Sequence, residues 1–428
     1  MAAADAASAG ASPRRILLVA PNISRRMGGE GIKALSIHLE LRAMGYDVRQ
    51  VTHARVRDEM TRDFPELDIV YVEDGPAQVW LYRLRVSVAL ALLNAWQLHR
   101  LAARTAAAFA PWVVHFTSPI SPVLPYFRMR GQAVVIGPLN GNLPHPAAFR
   151  EREPRGKRFG GAILKPLQRV LGALFRGKRA ATILVAGGER TVRALLYAGC
   201  DRARLVRTLD SGIADSLIDR PRRLQTGIAG GFVFLGRLVR YKGCDLAIRG
   251  LAAADRVVRL DVIGDGPERE ALAALAASLG VADRVTFHGW LPPGDALHDR
   301  LTRYRGLVMP TLAEANGIAF QEAMVLGVPI ICLDWGGPQE LLTADDAVMI
   351  APTDDATVVA ALAAAMSRLA HDPVAADAMA TRARAAALAK GFRWRDLLRR
   401  WEDVYTRAAD EPRDMVRGGG RYDKARFE

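Results

Sequence analysis

Short apolar runs alternate along this chain with longer segments in which apolar positions recur every three to four residues. Arg14-Arg15-Ile-Leu-Leu-Val-Ala-Pro reads as a buried strand. The glycine-rich SRRMGGEGIKALSIHLELRAMGYDV then supplies a turn and an amphipathic helix closed by Gly45, and residues 47–52 begin another strand. Strand, glycine turn, helix, strand is half of a doubly wound unit. Gly28, Gly29 and Gly31 stand at the carboxyl end of the first strand, where such sheets hold ligands, although a tight turn alone would also call for glycine.

Residues 68–72, 112–116, 132–137, 181–186 and 204–210 read as further strands of the first half. Residues 79–112 form one long helical pattern that is apolar on more than one face, which suits a buried layer or a surface meeting a membrane or partner. After residue 137 comes a Gly/Pro/Asn-rich loop with Asn140 and His145, again at a strand's carboxyl end. Residues 214–230, mixed in proline, arginine and glycine, read as a linker.

Beyond residue 230 strands and helices alternate through Met309, and residues 356–407 are Ala-rich and helical. The fold class predicted is α/β, with two doubly wound Rossmann-like domains at 14–213 and 231–390. A leader at 1–13, a helix at 391–409 and a tail at 410–428 complete the division; leader and tail are expected to be disordered.

The 428 residues give each domain a core of its own. No secretory h-region and no run of 18 apolar residues occurs, and three cysteines without a CxxC pair suit a reducing cytoplasm. Charge is lopsided: through residue 223 there are 34 Lys+Arg against 18 Asp+Glu, a net of +16, and beyond it 25 against 27, a net of −2. Between Arg150 and Arg179 stand ten basic residues and two acidic ones, and Leu164, Leu167, Val170, Leu171, Leu174 and Phe175 form an apolar stripe there. This pattern fits an anionic membrane surface or an ordinary basic helix beside a cleft. Nucleic acid is not expected, because aromatics are few and no nucleic-acid-binding motif is present.

The densest chemistry lies in MPTLAEANGIAFQEAMVLGVPIICLDWGGPQELL, residues 309–342. Glu314 falls in a loop after a strand and Glu322 about one and a half turns into the next helix. Gly317 opens that helix, so free N–H groups at Gly317 and Ile318 face the loop, an arrangement that favours an anion. Two ionised carboxylates around it suit a hydroxyl-rich ligand. Arg237 and Lys242, five positions apart after another strand, can clamp a diphosphate whose charge grows as it leaves. There is no Asp-x-Asp pair and no metal-ligand spacing among the histidines, so no metal and no cofactor is expected.

Glu314-x7-Glu322, Gly327-x-Pro329-Ile330-Ile331 and Gly336-Gly337-x-x-Glu340, with Arg237-x4-Lys242-Gly243, resemble the donor-site signature of GT-B glycosyltransferases of the GT4 type. The resemblance implies two domains facing across a cleft, a nucleotide-sugar donor, and transfer with retention to an acceptor hydroxyl of a glycan or lipid-linked molecule. It further implies that Arg237 and Lys242 bind the diphosphate, Glu314 the sugar and Glu322 the ribose. Asn316, Gly317, Ile318, Gly264 and Gly289 would line the donor site, and Gly28 and Gly29 would close over the phosphate and acceptor side. Residues 391–394, Gly-Phe-Arg-Trp, resemble the element at which the family's last helix crosses back to the first domain. The enzyme would act in the cytoplasm or at the inner membrane face, in polysaccharide or glycolipid synthesis. The chain departs from the pattern at Ala315-Asn316, at Ser211-Gly212-Ile213-Ala214, and where many members carry a first-domain His, a place that Asn140 or His145 could fill. Rival readings are an epimerase or phosphorylase on the same fold, a catalytically silent nucleotide-sugar-binding subunit, and a nicotinamide oxidoreductase, for which a proper GxGxxG is lacking.

Overall fold

The computed structural model describes residues 13–84, 86–122, 124–141, 144–153, 169–224 and 231–411. The leader through residue 12, the tail beyond residue 411 and linker residues 225–230 lie outside these, as do Arg155, Lys157, Arg158, Leu164, Lys165 and Leu167 of the basic segment.

Two all-parallel sheets organise the chain. The first contains β1 (Arg15–Val19), β2 (Asp47–His53), β3 (Asp68–Val72), β4 (Val113–Phe116), β5 (Val134–Leu139), β6 (Thr182–Val185) and β7 (Leu205–Arg207), in the order β3-β2-β1-β4-β5-β6-β7. The second contains β8 (Gly231–Leu235), β9 (Arg259–Ile263), β10 (Val285–Gly289), β11 (Gly306–Met309), β12 (Ile330–Leu333) and β13 (Val348–Ile350), in the order β10-β9-β8-β11-β12-β13. Ile16 to Val19 and Ile330 to Leu333 are wholly buried, because helices cover both faces of each sheet; hence these strands read as continuous apolar runs.

The helices that bear on the site are α1 (Gly28–Ala43), α2 (Pro76–Arg83), α3 (Ser87–Phe109), α4 (Gly188–Tyr197), α5 (Cys244–Ala253), α6 (Asp295–Leu301), α7 (Ile318–Leu326), α8 (Asp355–His371), α9 (Pro373–Ala389) and α10 (Trp394–Asp410). The single helix expected over 79–112 is instead the pair α2 and α3. The break follows from α2 folding back: buried Gln78 donates to Asn94 Oδ1 at 2.8 Å, sixteen positions on. Leu98, Ala102, Ala106 and Phe109 of α3 are buried in the first core, so this part of the pattern is core packing.

α10 lies on the first sheet. Leu397, Leu398, Trp401 and Tyr405 are buried with Ile16, Leu18, Val113 and Val135, and the Trp401 indole N–H donates to Thr208 Oγ1 at 2.8 Å. The start of the expected linker is not free chain, because Asp215–Ile218 is a helical turn whose Leu217 and Ile218 are buried in the second core. In the basic segment, several cations face inward. Lys178 is buried and donates to the Pro122 carbonyl at 2.5 Å, Arg179 donates to the Ala198 carbonyl, and Arg152 pairs with Asp245 at 2.7 Å and with Asp355.

Candidate active site

In a doubly wound sheet the ligand crevice opens where strand order reverses, at the carboxyl ends. In the second sheet that point lies between β8 and β11, and in the first between β1 and β4. The loop after β8 carries Arg237 and Lys242, the loop after β11 carries Glu314, and α1 follows β1.

Backbone contacts bind the two second-domain loops together. Leu312 N donates to the Tyr241 carbonyl at 2.8 Å, and Thr311 Oγ1 donates to the same oxygen at 3.3 Å. Gly243, with φ of +73°, lies so close that a Cβ there would meet the Pro310 carbonyl oxygen at 2.2 Å. This approach sets Lys242 Nζ against Glu314 Oε2 in an ion pair, each side chain less than one-fifth exposed. The other oxygen of Glu314 accepts from Ala315 N at 3.2 Å. Arg237, on the same β8 loop, is exposed, and its guanidinium forms no ion pair with a described residue.

α7 begins at Gly317, whose positive φ lets the chain turn into the helix beside the Glu314 side chain; a Cβ on Gly317 would stand 3.1 Å from Glu314 Cγ. No side chain caps this N-terminus, so the dipole's positive end and the first N–H groups, from Ile318 onward, face the Glu314 loop. Buried Asn316 donates to Gln321 Oε1 at 2.9 Å, and Gln321 donates in turn to the Ser211 carbonyl at 3.1 Å, tying this helix to the end of the first domain. Glu322 is mostly buried, with His298 Nε2 of α6 at 3.6 Å from Oε1, beyond hydrogen-bonding range.

Gly264 and Gly289 are placed by backbone proximity: Gly264 N donates to the Gly289 carbonyl at 2.8 Å, and Gly236, at the end of β8, packs directly beneath Gly264. The ends of β8, β9 and β10 thereby form one shelf. Gly28 and Gly29 are already in the first turn of α1 rather than in a free loop, and a Cβ on Gly29 would meet nothing within 4 Å. Asn140 donates from Nδ2 to Asp210 Oδ1 at 2.9 Å. His145 is buried beside Pro144, whose carbonyl accepts the Trp335 indole N–H at 3.2 Å from the second domain.

Sequence reasoning missed the rest of this first-domain cluster. Lys33, 2% exposed, pairs with Asp210 at 2.9 Å, the same carboxylate that Asn140 contacts. Its signal was a lysine in the stripe Lys33, Ile37, Leu41, whose other members are wholly buried. Glu30, one turn earlier, is reached by solvent yet walled by protein, which raises its carboxyl above the usual carboxylate value; Lys33 opposes that effect. The Gly336-Gly337 turn also joins the domains: Arg190 of α4 lies 3.7 Å over the Trp335 ring, and Glu340 sits against Gly188 at the N-terminus of α4.

Residues 230–386, nearly the whole second domain, match the model of the family described as glycosyl transferases group 1. This part of the chain is similar to members of that family. A GDP-mannose-dependent alpha-(1-6)-phosphatidylinositol monomannoside mannosyltransferase of Mycobacterium tuberculosis is 34% identical over 200 residues, 44% of this chain and 49% of that protein. A D-inositol 3-phosphate glycosyltransferase of Acidothermus cellulolyticus is 29% identical over 372 residues, 78% of each. The chain spans about a third to a half of the length of the first curated relatives it matches. Among solved structures, Anabaena HepE in complex with UDP-glucose has a TM-score of 0.64 at 17% identity, over 92% of this chain and 99% of that one. Sucrose-phosphate synthase of Thermosynechococcus elongatus has a TM-score of 0.67 at 16% identity, over 92% and 98%. The chain thus has the GT-B fold, two parallel-sheet domains with loops meeting across a cleft.

Proposed function

We propose that this protein is a retaining glycosyltransferase that moves a hexose-type sugar from a nucleoside diphosphate to an acceptor hydroxyl. The observation that carries the reading is the pairing of Lys242 with Glu314 at the reversal point of the second sheet, over the uncapped start of α7. A cation, a carboxylate and a helix N-terminus converging at one point suit a ligand whose diphosphate and hydroxylated sugar lie side by side. Arg237 and Lys242 hold the diphosphate, Glu314 takes sugar hydroxyls, and Glu322 takes the ribose. Gly264, Gly289, Asn316, Gly317 and Ile318 line the donor site. Gly28 and Gly29 face the phosphates from the first domain, and Asn140 with Lys33 and Asp210 fixes that wall.

Retention follows a front-face path. The bond from the anomeric carbon to the diphosphate oxygen breaks, the acceptor oxygen bonds to that carbon from the same face, and the acceptor's proton passes to the leaving diphosphate. Lys242, Arg237 and the α7 dipole meet the charge that accumulates there, so no divalent metal is required. The acceptor is a lipid-linked glycan or glycolipid on the cytoplasmic membrane face. Two relatives favour this class, one named as a phosphatidylinositol monomannoside mannosyltransferase and the other as a lipopolysaccharide core biosynthesis glycosyltransferase. Exposed Arg150, Arg169 and Arg176 would face anionic lipid.

The test is a thermal-shift screen of UDP-, GDP- and ADP-sugars, followed by turnover with the donor that binds, using proton NMR to read the anomeric configuration of the product. Inverted product would refute retention, and no donor binding would refute the transferase reading.

A further inference from the structure

The tip of the α2–α3 hairpin is an apolar surface left exposed among the described residues. Trp80 is 61% exposed and Tyr82 74%, and Val79, Leu84 and Val86 beside them are also exposed. Trp96, further along α3, is exposed too, with the Arg100 guanidinium 5.3 Å over its ring. α2 directly follows β3, the edge strand of the first sheet, so the hairpin tip lies at the carboxyl ends of the strands, the same end as the cleft.

Charge along this stretch of the sequence has one sign, beginning just after the exposed Glu73 and Asp74, which pair with Arg57 and Arg55. From Gly75 through Arg150, a stretch of 76 residues, the sequence contains seven arginines, no lysine, and no aspartate or glutamate. The chain as a whole is a quarter charged, so a stretch this long without one carboxylate is a strong local departure. Trp and Tyr present an apolar ring with a polar edge, the side chains that settle at a bilayer's headgroup level, and arginines among them, such as exposed Arg83, match an anionic leaflet. A water-facing surface has no use for such a cluster, and a protein partner of mixed charge would leave the arginines unmatched.

We propose that the α2–α3 hairpin, through Trp80, Tyr82, Leu84 and Val86 with Arg83, seats this protein on the headgroup region of an anionic bilayer. No helix among the described residues is long and apolar enough to cross a membrane, so the contact lies in the interface plane. The surface differs from the basic segment beyond residue 150, several of whose cations are engaged inside the protein. Seated this way, the cleft end of the first domain faces the lipid, and a membrane-held acceptor need extend only its headgroup sugar. This placement of the acceptor rests on the transferase reading, whereas lipid binding itself does not.

The experiment is flotation of the full chain with phosphatidylcholine vesicles, with and without phosphatidylglycerol, beside the variant W80S/Y82S/L84S. All three positions are exposed, so the variant should keep the wild-type melting temperature and nucleotide-sugar thermal shift. Expected is binding to the anionic vesicles alone, weakened by salt, and roughly 10-fold or more weaker in the variant. Equal flotation of variant and wild type, or no preference for anionic vesicles, overturns the proposal. So does a wild-type dimer in solution that the variant abolishes, which would assign the surface to a second copy of this chain. Vesicle binding lost while donor binding persists sinks this inference alone; donor binding absent while vesicle binding persists sinks the transferase reading alone.

Discussion

Lys242 and Glu314 lie 72 positions apart and close on each other as a partly buried ion pair between two strand-end loops. Each neutralises the other, and in the function proposed above a bound donor separates them, drawing the ammonium to its diphosphate and leaving the carboxylate to the sugar. Either Lys242→Ala or Glu314→Ala should therefore lower kcat/KM by roughly 10²-fold or more, the scale of losing one transition-state contact. Because the two act as a unit, the double variant should lose less than the product of the single losses. Steady-state kinetics on the four proteins measures both quantities, and near-normal turnover in the single variants would remove the pair from the chemistry.

The Gly336-Gly337 turn holds Glu314 from behind. Gly337 N donates to the Glu314 carbonyl at 2.6 Å, and a Cβ on Gly336, where φ is +74°, would stand 2.6 Å from that same oxygen. Gly336→Ala must push the Glu314 loop away and also adopt a strained backbone, a combined cost of roughly 1–3 kcal/mol. Urea denaturation should register that loss. Donor affinity should fall further than stability alone explains, because the displaced loop carries the carboxylate.

The strands that build the site were legible because a parallel strand buried on both faces leaves an unbroken apolar run, as in Gly231–Leu235 and Gly306–Met309. β13 was not, since three residues, Val348–Ile350, are too short to establish a period. Glu314 and Lys242 could be found because each stands just past such a run. Lys33, Asp210 and Phe149 could not, because their roles depend on partners up to 177 positions away and on the way the domains meet. The α2–α3 break was hidden for the same reason, since Gln78 and Asn94 meet only once the hairpin has folded.

Phe149 belongs to the first domain by sequence, yet it is 1% exposed within the core of the second. Arg152 follows on the same segment, with its guanidinium 5.4 Å from the Phe149 ring and paired with Asp245 and Asp355. The segment therefore plugs one domain into the other, and Phe149→Ala should cost roughly 3–5 kcal/mol, the range for removing a buried phenyl group. The discriminating measurement is calorimetry: a loss of coupling should separate one melting transition into two. A single transition with unchanged midpoint would mean that the plug does not hold the domains.

Acid should destabilise this protein before its carboxylates titrate. His115 is wholly buried, with its ring nitrogens 2.8 Å from the Tyr405 hydroxyl and 2.8 Å from the Gly137 carbonyl, and burial pushes its pKa down from 6.5 to about 4. His38, also inaccessible to solvent, is lowered to about 4 by the same cause. Unfolded, both rings take up a proton near the ordinary value; folded, they resist until about pH 4. The unfolded state therefore binds more protons throughout that window, so the stability each neutral ring contributes is fully present above about pH 6.5 and declines as pH falls toward about 4, by something on the order of 2–3 kcal/mol per ring. Urea denaturation at about pH 7 and about pH 5 brackets the upper part of the fall, above the range in which ordinary carboxylates protonate. His115→Gln should be less stable at neutral pH but show a shallower decline, because one titrating ring is gone while His38, His53 and His99, lowered to about 4 as well, remain. Wild-type stability that stays level across that interval would contradict the neutral, buried state of both histidines.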